Sequence, residues 1–183
     1  MNNISRDLEK DLRDSFEESL QRRIQRASRV QFLPIQPYHW FSAASADCVG
    51  MYVSGFFYGA ISIAQAYIEA LSKFLAERHD VKLGNNVERR FERLRNNDVI
   101  SSAARDAAIA IYKERNDYHH LNKDVPQEHA ILEARAGNCV NSIYVIESEL
   151  FASTFDNGKI VPKNPDYLPF TSSDTVGVFL RKL

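Results

Sequence analysis

Residues 56–77 read FFYGAISIAQAYIEALSKFLAE. Ile61, Ala64, Ile68, Leu71 and Leu75 recur at intervals of three and four, the spacing that aligns side chains on one face of an α-helix. The stretch completes a longer run of small and apolar residues that begins near Ser45, and it predicts the central core helix of the fold. Gly50, Gly55 and Gly59 lower helix propensity within that run. They mark either a break near its start or the close approach of a neighbouring helix.

Working outward, helical periodicity dominates. Upstream, residues 4 to about 31 place Leu8, Leu12, Phe16, Leu20 and Ile24 four apart. At 3.6 residues per turn such a line winds around the helix by about 40° per step, which predicts a long, curved or broken outer helix. FLPIQPYHW (32–40) then interrupts it, because Pro34 and Pro37 remove amide donors and push the preceding residues towards extended backbone. Downstream of a polar turn at LGNN (83–86), a short basic helix carries Arg89, Arg90, Arg93 and Arg95. The next helix offers Ile100, Ala104, Ala107 and Ile111 as its buried stripe and ends in RNDYHHLN (115–122). Pro126 suits the first turn of another helix, with Cys139, Ile143, Ile146 and Leu150 as its apolar seam to about Phe155. The tail contains Pro162, Pro165 and Pro169; it drapes over the bundle as extended segments, or its last dozen residues are partly disordered.

These readings give an all-α, antiparallel bundle of four to five helices with an N-terminal helical extension and an irregular C-terminal tail. The division is 1–44 (helix and linker), 45–156 (bundle) and 157–183 (tail), in one structural domain. A chain of 183 residues, 44% hydrophobic and 26% charged, can bury a proper core. The formal charge of −1 excludes a globally basic protein, so nucleic acid would have to meet a local patch. Cys48 and Cys139 lie far apart without a CxxC partner, which suggests neither a zinc knuckle nor a disulfide framework. No apolar leader or membrane-length run is present, and a soluble cytoplasmic protein is expected.

RNDYHHLN admits two readings. Arginine and histidine suit a helix C-terminus, where they complement the dipole and bond the last carbonyls. Alternatively the segment performs chemistry. If the helix continues past Arg115, His119 shares its face; if the helix ends or tightens near Asp117, His120 swings round to join Arg115. Either arrangement sets a fixed cation beside a group that gives and takes protons near neutral pH, as phosphodiester cleavage requires.

Arg115, Asn116 and His120 resemble the signature of the HEPN superfamily of all-helical domains, an arginine followed after four to six residues by histidine, with a polar residue directly after the arginine. FFYGAISIAQAYIEALSKFLAE is similar to the family's long core helix and NSIYVIESELFAS (141–153) to its final one, so the resemblance covers about residues 45–156. It implies a symmetric homodimer that joins two motifs in one composite cleft, an expectation strengthened by the alanine-rich stripe of residues 103–110. It further implies a metal-independent endoribonuclease without a cofactor, in which Arg115 and His120 are catalytic. Arg115 grips the scissile phosphate and His120 acts as general base or acid, with Asn116 and His119 in support. RNA brings its own 2′-hydroxyl nucleophile, and DNA is not an expected substrate.

Other groupings point less far. Glu114, Asp117, His119 and His120 could ligate a metal but follow no established ligand spacing. Glu69 and Lys73 suit an intrahelical ion pair. Arg89, Arg90 and Arg93 could meet RNA phosphate or form a solvated face. Tyr38, His39 and Trp40 could stack on bases or be pinned in the core. Two function classes follow: an endoribonuclease serving as a toxin or phage-defence effector, with a possible antitoxin partner, or a non-catalytic HEPN-like dimerisation or nucleotide-sensing module.

Overall fold

The computed structural model describes residues 3–37, 39–114, 118, 123–168, 170–171, 175–176 and 178–180. Among them are six α-helices: α1 (Asn3–Ala27), α2 (Ser42–Ser54), α3 (Phe57–Arg78), α4 (Val87–Asn96), α5 (Ser102–Glu114) and α6 (His129–Leu150). Helices α2 to α6 form an all-α bundle and α1 is its extension.

The run from Ser45 to Glu77 divides at Gly55, which adopts φ +89°. Its amide donates to the Tyr52 carbonyl at 3.0 Å and that of Phe56 to the Met51 carbonyl at 2.8 Å, a double bond pattern that satisfies the last carbonyls of α2. Gly59 allows a close approach instead, since a Cβ there would lie 2.7 Å from the Met51 sulfur. Each reading of the glycines therefore holds at one position. Gly50 serves neither purpose, because a Cβ would meet nothing within 4 Å.

Helix α3 occupies the centre and packs against α2, α4, α5 and α6. Ile61, Ala64, Ile68, Leu71 and Leu75 are all completely buried, as the spacing predicts. Helix α6 closes the opposite side through Cys139, Val140, Ile143, Ile146 and Leu150. The Ser45 hydroxyl bonds the fully buried Glu147 carboxyl group at 2.5 Å, so a polar contact links α2 to α6 inside the core. Helix α6 starts at His129, three residues beyond Pro126, and stops at Leu150 rather than near Phe155. There Asn164 donates to the Glu149 and Leu150 carbonyls and caps the end.

The tail is extended and partly regular. Strands β2 (Ser153–Asp156) and β3 (Lys159–Pro162) form an antiparallel hairpin, and β4 (Phe170–Thr171) pairs with β5 (Thr175–Val176). Strand β6 (Val178–Leu180) returns to β1 (Ile35–Pro37) within the proline linker, with Ile35 opposite Leu180. Helix α1 is one continuous outer helix. Its C-terminal end is fastened to the bundle by Arg23, which donates to Ser54, and by buried Arg26, which donates to the Val53 carbonyl and pairs with Glu133. Residues 6–18 are exposed throughout. No helix among the described residues is long and apolar enough to cross a membrane.

Candidate functional site

Helix α5 leads to RNDYHHLN. Ser101 caps its start, accepting from the Ala104 amide at 3.1 Å while its own amide donates to Glu149 at 2.7 Å. Ala104, Ala108 and Ile111 then bury one face against the bundle. The small side chains at 104 and 108 let α5 lie close to its neighbours, and Glu114 is the last of its described residues.

Arg115, Asn116, Asp117, His119 and His120 lie outside the described residues. The segment's anchor points do not. Glu114 accepts from the Arg135 guanidinium of α6 at 2.7 Å, and that guanidinium also covers the Tyr118 ring at 5.1 Å. Tyr118 is 2% exposed, donates its hydroxyl to the Pro126 carbonyl at 3.0 Å and meets the Tyr58 ring of α3 at 6.1 Å. One cation thus holds the residue before the motif and the residue at its middle. A charge-assisted pair that is also stacked on an aromatic face is more restrictive than either contact alone.

One face of α3 runs past Tyr58. Gln65 and Glu69 lie seven and eleven residues further on, within about 20° of Tyr58 around the axis. Gln65 is 4% exposed, and neither atom of its amide has a hydrogen-bond partner among the described residues. A buried, unsatisfied amide on the face that meets Tyr118 is costly and unusual in a folded core.

The cysteines offer no nucleophile. Cys139, one turn beyond Arg135, is buried, and burial together with the nearby Glu114 charge pushes its thiol up to about 12. Cys48 donates to the Ala60 carbonyl at 3.3 Å from a fully buried position. Among the described residues no three His, Cys, Asp or Glu side chains come together as a metal site.

The arginines of α4 divide. Arg90 donates to the Gly84 carbonyl at 2.9 Å and Arg93 to that of Lys82 at 2.8 Å, so both brace the loop before the helix; Arg89 is exposed. Among the described residues no ion pair joins Glu69 to Lys73, and the Glu69 carbonyl accepts from the Ser72 hydroxyl. Tyr38 lies outside the described residues. His39 is pinned, stacked on Phe41 and bonded to the Tyr167 carbonyl, whereas Trp40 is 71% exposed.

The sequence reading gave Arg135 and Gln65 no role. Arg135 was discoverable, because it stands four residues before Cys139 and places a cation on the apolar seam of α6. Gln65 follows Ala64 inside the core helix with no comparable signal. In comparisons with family models, curated proteins and solved structures, nothing matches this chain.

Proposed function

We propose that the chain is a metal-independent endoribonuclease of HEPN-like type, serving as a toxin or phage-defence effector and acting as a homodimer with a composite cleft. The reading is carried by one observation. In sequence, an arginine and a histidine at the signature spacing directly follow Glu114 of α5, which is fixed by Arg135. Anchoring at Glu114 and Tyr118 supports it, since acid–base chemistry gains from groups held in place before substrate arrives.

In this mechanism Arg115 spans two phosphate oxygens and stabilises the charge that develops when the ribose 2′-hydroxyl attacks. His120 takes the hydroxyl proton, and the second copy's histidine gives one to the leaving 5′-oxygen. The products are a 2′,3′-cyclic phosphate and a 5′-hydroxyl. Asn116 orients the phosphate or fixes the histidine tautomer, and His119 contacts substrate at the rim.

The test is cleavage of RNA in excess chelator by the parent chain and its variants. RNA is cut to cyclic-phosphate ends and DNA of the same sequence survives. Arg115→Ala and His120→Ala each lower the rate about a hundredfold or more, Arg115→Lys recovers little, and His119→Ala is milder. Activity that stops with chelator, equal cutting of DNA, or full activity in the Arg115→Ala variant defeats the proposal. The non-catalytic dimerisation module is favoured by one finding, that Arg90 and Arg93 are committed to loop carbonyls. It predicts a folded dimer without RNA cleavage.

A further inference from the structure

Helix α1 extends past the bundle. Residues 6–18, about 20 Å of helix, are exposed on every side, including the apolar residues Leu8, Leu12 and Phe16, which are 57%, 64% and 45% exposed. The same helical side, continued to Arg26, seats α1 on the bundle. The strip therefore carries a packing face beyond the body it packs on. A helical piece of this length is marginal in water by itself, and three large apolar side chains in a row exceed the scattered exposure of an ordinary surface.

We propose that this arm pairs antiparallel with the arm of a second copy of the chain. Symmetry and charge both favour this arrangement. The strip is symmetric about Leu12, so reversal sets Leu12 against its twin and Leu8 against Phe16. A shallow groove lined by Leu8, Glu9, Leu12, Arg13, Phe16 and Glu17 defines the contacting side. Glu9, Arg13 and Glu17 line it and Arg6 stands just before its first residue in sequence, and the four alternate in sign at steps of three and four. Reversal brings Arg6 towards the partner's Glu17 and Glu9 towards the partner's Arg13. A parallel, in-register pair would oppose every one of these charges to its like, which is the arrangement that charge patterns at helix seams exclude. Measured from the centre of that groove, Asp7, Asp11, Asp14 and Glu18 point about 150° or more away and stay in solvent, whereas Arg6, Glu9, Arg13 and Glu17 lie within about 90° of it.

The pairing uses a surface separate from α5 and does not rest on the nuclease reading. Four turns of helix fall short of the ~800 Å² per partner of a standard interface, so association in the micromolar range is expected.

Sedimentation velocity on the full chain from 1 to about 300 μM tests the proposal. A concentration-dependent association step is expected, from monomer to dimer or, where copies already join through α5, from that dimer to a larger assembly; Leu12→Glu weakens it at least tenfold while thermal unfolding stays at the parent temperature, because Leu12 is 64% exposed on a stretch of α1 outside the bundle. For orientation, Glu9→Cys and Arg13→Cys chains are mixed and oxidised; the native thiols, Cys48 and Cys139, are buried and do not compete. The 9-to-13 heterodimer is the expected disulfide product. No concentration-dependent step over the whole range, a step that Leu12→Glu leaves intact, or 9-to-9 and 13-to-13 products alone each overturns the proposal.

Discussion

The Nε2 atom of His39 lies 2.6 Å from the carbonyl oxygen of Tyr167, joining the proline linker to the C-terminal tail. A carbonyl can only accept, so Nε2 carries the proton. Burial lowers the imidazole's pKa and Arg78 lowers it further, against the opposing pull of the Tyr167 carbonyl. The tail's anchor is therefore a neutral histidine.

This has a pH consequence with a definite sign. Because the folded pKa is depressed, the unfolded chain binds the extra proton more readily, and the stability that His39 contributes is present above the ordinary value of 6.5 and lost as pH falls below it. Urea unfolding followed by Trp40 fluorescence at pH 7.5 and 5.5 checks this. His39→Gln is expected to cost about 1 kcal/mol at pH 7.5 and to flatten the part of the profile between the two. An unchanged profile in the variant would show that another group controls it.

One glycine inside α2 and one just past its end predict opposite results. Gly50→Ala adds a methyl group where nothing lies within 4 Å, inside a helix, and should raise stability by about 1 kcal/mol. Gly55→Ala forces a Cβ into positive φ, 3.0 Å from Arg26 Nη1, and should lower stability by about 1–2 kcal/mol or more. Thermal melts of the two variants, side by side, are sufficient.

Arg135 should couple to Glu114. Arg135→Met keeps an apolar cover over Tyr118 but strands a carboxylate whose side chain is only 17% exposed, at a cost of about 1–3 kcal/mol. In the double variant with Glu114→Gln the loss should be smaller than the two single losses combined. Additive losses in that cycle would show that the 2.7 Å contact contributes nothing.

The core of the fold was readable because α3 is buried nearly all round and repeats its apolar residues every three or four positions. The break at Gly55 was readable only as one of two options, since a glycine's sequence does not tell whether its φ is positive or its missing Cβ admits a neighbour. Strands β1 and β6 left little trace. Three-residue strands have no periodicity to detect, and their pairing is decided by where the bundle sets the linker and the tail. At the candidate site, the residue types of the motif were legible, and so was a cation on the seam of α6; that Arg135 meets Glu114 was not, because the two come together only when α5 and α6 pack.

The β1–β6 ladder also dictates an order of assembly at the ribosome. Ile35 emerges early and its partner Leu180 very late. Helices α2 to α6 are all synthesised in between and form from contacts closer in sequence, which low loop-closure cost favours. The linker's open strand edge must therefore wait, unpaired, until the bundle behind it is complete. Pro34 and Pro37 bracket that edge, and a proline presents no amide for a foreign strand to recruit. The residues that break the helical pattern thus also guard the nascent chain while it waits for β6.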